Sequence, residues 1–147
     1  HVQHLVYLAA FAPNEGDGIM ATLGGLDRRE VALSAAMQMR DDGTSVLDPT
    51  AAIPALYGSC TPETIAAAVA RLSPQPMVTF GQPVTGSPRA TIGSTFVVCT
   101  EDRAIHPDHQ VAMSERCTHV VTLTTDHSPF ASMPDETADV IERAVRS

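Results

Sequence analysis

The chain has 147 residues, 44% of them hydrophobic, which suits one globular domain with a sizeable core. Nine basic residues stand against 17 acidic ones, a net charge of −8, and all nine are arginine. An acidic, lysine-free surface argues against nucleic acid and against a membrane as partner, and no run approaches the ~20 apolar residues of a membrane helix.

The first residues, His1 to Tyr7, carry neither the basic n-region nor the cleavage site of a signal peptide, and read like a strand entered partway. Residues 4–11, HLVYLAAF, are a continuous apolar run that suits a central parallel strand. Asn14 to Gly18 is a loop by its glycine and acid content. Asp27-x-x-Glu30 has the pattern of a capping box and predicts a helix through Val31, Ala35, Ala36 and Met39. Asp41 to Thr44 is a turn, and Asp48-Pro49 is the N-cap and first position of a short helix toward Tyr57, disturbed by Pro54. Thr61-Pro62-Glu63 starts another helix, with Ile65, Ala68, Val69 and Leu72 at helical spacing. Met77 to Phe80 reads as a short extended piece. Strands are predicted near 94–99 and 118–123, each followed by a helix that opens on proline, at Pro107 and Pro134. A crossover between parallel strands needs only a dozen or so residues, so the long middle block reads as an insertion. The expected organisation is a core strand in 1–13, a mainly helical cap in 14–88 and a second core part in 89–147.

The chemistry gathers where two strands end. Thr95-Phe96-Val97-Val98-Cys99 runs into Glu101-Asp102, and Val120-Val121-Thr122-Leu123 runs into Asp126-His127. Open α/β sheets place their chemistry at the carboxyl ends of strands. An acid after one strand and an imidazole after the next suggest a carboxylate orienting a general base. Asp102 is the favoured acid, although an acid here could equally cap the following helix. Glu101 reads as solvated, and Asp126 as a loop acid too close in sequence to orient its neighbour's ring. His106 and His109 are spaced like a metal pair, but no third ligand stands out, and no metal or other cofactor is expected. Cys60, Cys99 and Cys117 are odd in number and widely spaced, which points to a reduced, cytoplasmic setting; Cys99 reads as a small core residue. No G-x-G-x-x-G or Walker A pattern occurs.

Taken together, LYGSCTPE, CTEDRAIHP and DHSPF resemble the α/β-hydrolases, and within them the branch of methyl esterases and hydroxynitrile lyases. The resemblance implies an α/β fold: parallel strands with flanking helices, corresponding to the C-terminal portion of such a hydrolase with its cap. It assigns Asp102 as triad acid and His127 as base. It also implies that Ile105 faces the substrate pocket, a core residue under the loop being the equal alternative, with Leu56 and Tyr57 on the cap side. Met20, one of four methionines in the cap region, suits a pocket roof, ordinary cap packing being the alternative. No G-x-S-x-G nucleophile elbow occurs, so the serine and the front half of the hydrolase are expected from another segment or chain, and a homodimer is left open. The implied reaction is hydrolysis of a small hydrophobic carboxylic ester through an acyl-enzyme. Cyanohydrin cleavage is the alternative; there a lysine follows the catalytic histidine, where this chain has Ser128. A non-catalytic ligand-binding module is the third reading.

Overall fold

A computed structural model describes residues 2–146; His1 and Ser147, at the outer ends of the expected segments, lie outside the described residues. In chain order the elements are β1 (Leu5–Leu8), α1 (Ile19–Gly24), α2 (Ala32–Ala36), β2 (Met37–Met39), β3 (Thr44–Leu47), α3 (Pro49–Leu56), α4 (Pro62–Val69), β4 (Gln75–Pro76), α5 (Val78–Gly81), β5 (Ser94–Cys99), α6 (Pro107–Ser114), β6 (His119–Leu123), α7 (Pro129–Ser132) and α8 (Pro134–Arg146). A 3₁₀ turn, Pro88–Ala90, precedes β5.

The main sheet has the order β1-β5-β6, and both pairings are parallel. All six residues of β5 are buried, which is why this strand is apolar and β-branched without alternation. β1 lies to one side and is half-buried along its length. β6 lies on the other side and is mostly exposed, with Val120 at 51%. α6 packs on β5, and Ala12, Phe96, Val98, Ile105 and Met113 form one core cluster.

Between neighbours β1 and β5 the chain makes its long excursion. That segment is less helical than its sequence suggests. β2, β3 and β4 form a second, antiparallel sheet within it. The helix expected through Met39 stops at Ala36, and Met37–Met39 pair with Ser45–Leu47 instead. The turn explains the change. Gly43 takes a φ of +80°, open to glycine, and Asp42 Oδ1 accepts from the Thr44 N–H at 3.0 Å and hydroxyl at 2.7 Å. Those two bonds hold the Asp42 carboxyl below its ordinary range. An Asp-Gly pair between short extended runs is a hairpin signal, and it outweighs the helical spacing before it. Nor does the capping box form: Val31, not Asp27, precedes α2, and it makes no side-chain cap. Met77–Phe80, expected to be extended, enters helix α5.

Other local signals act as written. Asp48 Oδ1 accepts from the Ala51 N–H at 3.0 Å with Pro49 in the first turn, and Thr61 caps α4 in the same manner. α3 tolerates Pro54 within its span. Ala36, Ala52, Leu56 and Ala104 form a second buried cluster that joins α2 and α3 to the loop after β5. Among the described residues no helix is long and apolar enough to cross a membrane. Asp48→Ala should lower stability by about 1 kcal/mol, the usual loss for an N-cap, measured as a shift in denaturant midpoint at unchanged slope.

Candidate active site

Two backbone bonds continue the β5–β6 ladder past the strands themselves. The Thr100 N–H donates to the Leu123 carbonyl and the Glu101 N–H to the Thr125 carbonyl, each at 3.0 Å. The two loops therefore leave the sheet side by side, and Asp102 and His127 meet although they are 25 residues apart.

His127 Nδ1 lies 2.8 Å from Asp102 Oδ2. The Asp102 side chain is wholly enclosed, whereas that of His127 is 25% exposed. Burying a carboxylate is costly unless its lone pairs are engaged, and here both oxygens are. Oδ1 accepts from the Ala104 N–H at 2.7 Å and the Ile105 N–H at 2.9 Å. Oδ2 accepts from the Gln110 amide at 2.7 Å as well as from His127. A carboxylate only accepts, so Nδ1 carries a proton, and in the neutral ring Nε2 then keeps its lone pair. Such a ring can take a proton at Nε2 and return it.

Gln110 is the residue the sequence reading missed. It is fully buried on α6. Its Nε2 donates to Asp102 Oδ2 and to the Ile105 carbonyl at 2.8 Å, and its Oε1 accepts from the Cys99 N–H at 2.9 Å. Strand, acid loop and helix are thus tied through one amide. The signal lay in the helix pattern: Gln110 shares the buried face with Met113 and Ser114, where a polar residue needs a partner.

Other candidates fall in different places. Glu101 is exposed, and Asp126, 3% exposed, accepts from Ser59 and Ser128 backbone N–H groups. Ile105 is 6% exposed and packs in the core beneath the acid loop. Leu56 is 8% exposed within the second cluster, while Met20 on α1 is 59% exposed. Tyr57 borders a cavity of about 390 Å³ whose walls come from α3 and α4 (Ile53, Pro54, Ile65) and from the loops carrying Glu101, Arg103 and Asp126. A larger cavity, about 680 Å³, is lined by Tyr7, Phe11 and Arg89 among others, but by neither Asp102 nor His127. His109 Nε2 lies 2.7 Å from the Asp27 carbonyl, and among the described residues no three His, Cys, Asp or Glu side chains form a metal-sized group. Burial, with the negative charge of Asp102 and Asp126 nearby, pushes the Cys99 thiol up to about 12, unsuited to a nucleophile at neutral pH.

This chain belongs to the alpha/beta hydrolase family, a model of which matches residues 1–140. It is 28% identical to the Alpha/beta hydrolase nvfD of Aspergillus novofumigatus, over 97% of this chain and 57% of that protein. It is 25% identical to the Probable hydrolase R7 of a Phoma species, over 95% of this chain and 58% of that protein. The chain thus spans somewhat more than half the length of these curated relatives. Among solved structures, a pyrethroid hydrolase from Sphingobium faniae superposes with a TM-score of 0.79 at 22% identity, covering 99% of this chain and 62% of that one. A polyneuridine aldehyde esterase variant gives 0.79 at 13% identity, over 96% and 61%. The methylesterase MES16 from Arabidopsis gives 0.73 at 19%, over 99% and 59%. These likenesses establish the fold: a parallel sheet with flanking helices, matched to about three-fifths of each neighbour.

Gln110→Leu removes one of four donors from Asp102, the donor to the Ile105 carbonyl and the acceptor of the Cys99 N–H. We expect a loss of about 2–5 kcal/mol in denaturant unfolding, chiefly from the Cys99 N–H and the Ile105 carbonyl losing their partner. Native Cys99 should also stay unreactive toward a thiol reagent at pH 8 and react once the chain is unfolded; native labelling of Cys99 would contradict its burial.

Proposed function

We propose that residues 1–147 carry the acid and the base of a serine hydrolase that cleaves small hydrophobic carboxylic esters. The observation that carries this reading is the 2.8 Å contact between His127 Nδ1 and the enclosed Asp102 carboxylate, with His127 partly open to solvent. In this reading His127 Nε2 takes the proton of a serine hydroxyl as that oxygen attacks the ester carbonyl. The same proton then goes to the departing alkoxide. Water, activated by the same nitrogen, releases the acid from the acyl-enzyme. Asp102 holds the ring in its tautomer and balances the imidazolium that forms.

The serine and the backbone donors for the oxyanion are proposed to come from an N-terminal complement, in a longer polypeptide or a second chain, packed beside β1. Two features support this. No G-x-S-x-G occurs in these residues, and β1, apolar throughout, pairs with β5 on one side only among the described residues. The excursion between β1 and β5 is proposed as the cap, and Ile53, Pro54, Tyr57 and Ile65 as apolar walls facing the acyl or alcohol group. Ile105 acts beneath the acid loop through its N–H, and a direct substrate contact by Leu56 or Met20 has less support from their placement. The relatives named as a pyrethroid hydrolase, an esterase and a methylesterase agree with ester cleavage. Cyanohydrin cleavage is disfavoured because Ser128 stands where the lyases place lysine, and the chain contains no lysine.

The test is turnover of a short-chain aryl ester by the chain together with its N-terminal complement. His127→Ala should lower kcat by at least ~10³-fold while the fold is retained. The chain alone should be inactive. A His127→Ala protein with most of its activity would remove the general-base role, and ester turnover by residues 1–147 alone would remove the proposed complement.

A further inference from the structure

Asp126 precedes His127 yet faces a different set of partners. Its carboxylate is a fork between two parts of the chain. Oδ2 accepts from the Ser59 N–H at 2.8 Å and lies 3.9 Å from Cys60 Sγ. Oδ1 accepts from the Ser128 N–H and the Ser132 hydroxyl, each at 3.0 Å. Ser59 and Cys60 belong to the excursion, just beyond α3; Ser128 and Ser132 belong to the histidine loop and α7. The carboxylate is 3% exposed, whereas Ser59 is an exposed residue. Burial and the Asp126 charge push the neighbouring Cys60 thiol up, so it remains a neutral donor.

We propose that Asp126 is a positioning residue that fastens the Ser59–Cys60 segment of the excursion to the histidine loop. It thereby sets the cavity wall formed by Tyr57, Gly58 and Ser59 beside Asp126, the residue that precedes His127 in the histidine loop. The catalytic part of this inference rests on the hydrolase reading; the fastening itself does not. The geometry calls for a carboxylate. Both oxygens meet donors, two of them backbone N–H groups on opposite arms. Asparagine offers one oxygen and one NH₂, so one arm would face a donor with a donor. The intraloop arm is shorter in sequence and doubly bonded, so it keeps the oxygen and the Ser59 arm is released.

Hydrogen exchange by NMR and steady-state kinetics, both on the chain with its N-terminal complement, test the idea. In the unmodified protein the Ser59 amide should exchange at least ~10-fold more slowly than a free peptide amide, despite its exposed position. Asp126→Asn should remove that protection and raise KM for a short-chain aryl ester about tenfold, with kcat within about threefold, as expected when a binding wall loosens and the chemistry stays. Ser132→Ala, which removes a hydroxyl whose contacts with Thr125, Ser128 and Asp126 all lie on the histidine-loop side, should leave Ser59 protection and KM unchanged. Ser59 exchanging at the free rate in the unmodified protein overturns the proposal, whether or not Asp126→Asn folds. So does an Asp126→Asn protein with protection and KM intact. A protein that hydrolyses no ester but loses Ser59 protection on Asp126→Asn would end the hydrolase reading and leave the fastening standing.

Discussion

The carboxylate of Asp102 has to be satisfied inside the protein, and much of the architecture around it follows from that requirement. A buried charge without partners would be untenable, and this one receives four hydrogen bonds. Two come from its own loop and force the chain to turn sharply after β5. One comes from α6 through Gln110, which can donate only because its other end is held by the backbone of β5. The last comes from His127. Strand, turn, helix and histidine loop are thus mutually constrained around one group. The imidazole gains an orientation that no single flanking residue could give it.

The excursion between β1 and β5 is held to this frame at several points of different chemistry. Alanines of α2 and α3 pack against Ala104 in the acid loop, and the Leu33 N–H donates to the Arg103 carbonyl. Arg29 and Asp108 form a 2.8 Å ion pair across to α6, and Ser59 reaches Asp126. The exposed pair contributes little energy and is best regarded as orientation. The small apolar contacts and the bond to a buried carboxylate carry more. Insertion and sheet therefore meet mainly around the two loops that hold Asp102 and His127.

Much of this was readable in advance, for identifiable reasons. β5 is buried on both faces, so its residues are uniformly apolar, and the acid at its tip stands out. The caps at Asp48 and Thr61 depend on neighbouring residues alone, and they form as written. The hairpin of β2 and β3 was misread because Ala35, Ala36 and Met39 have helical spacing, while the deciding signal, Asp42-Gly43, acts on the residues before it. Gln110 stayed hidden because its partners lie on a strand and a loop that only the folded chain brings near. Asp126 reads as a loop acid from its place beside His127, and its bond to Ser59, 67 residues away, is likewise visible only in the folded chain. Local rules reveal caps and buried strands, and they are silent on polar groups satisfied across long separations.

The two pairings of the main sheet differ greatly in the length of chain they close. Ser94 and Thr118 bond across 24 residues, whereas His4 and Thr95 meet across 91. Chain-closure entropy rises with the logarithm of loop length, so the longer connection costs about 1 kcal/mol more before any contact is counted. β5, α6 and β6 can therefore assemble as a local nucleus, with β1 and the intervening segment joining afterwards. The acid and the histidine both lie in the part that closes the shorter loop. Their meeting spans 25 residues, so it carries less of the closure entropy than the pairing of β1 with β5.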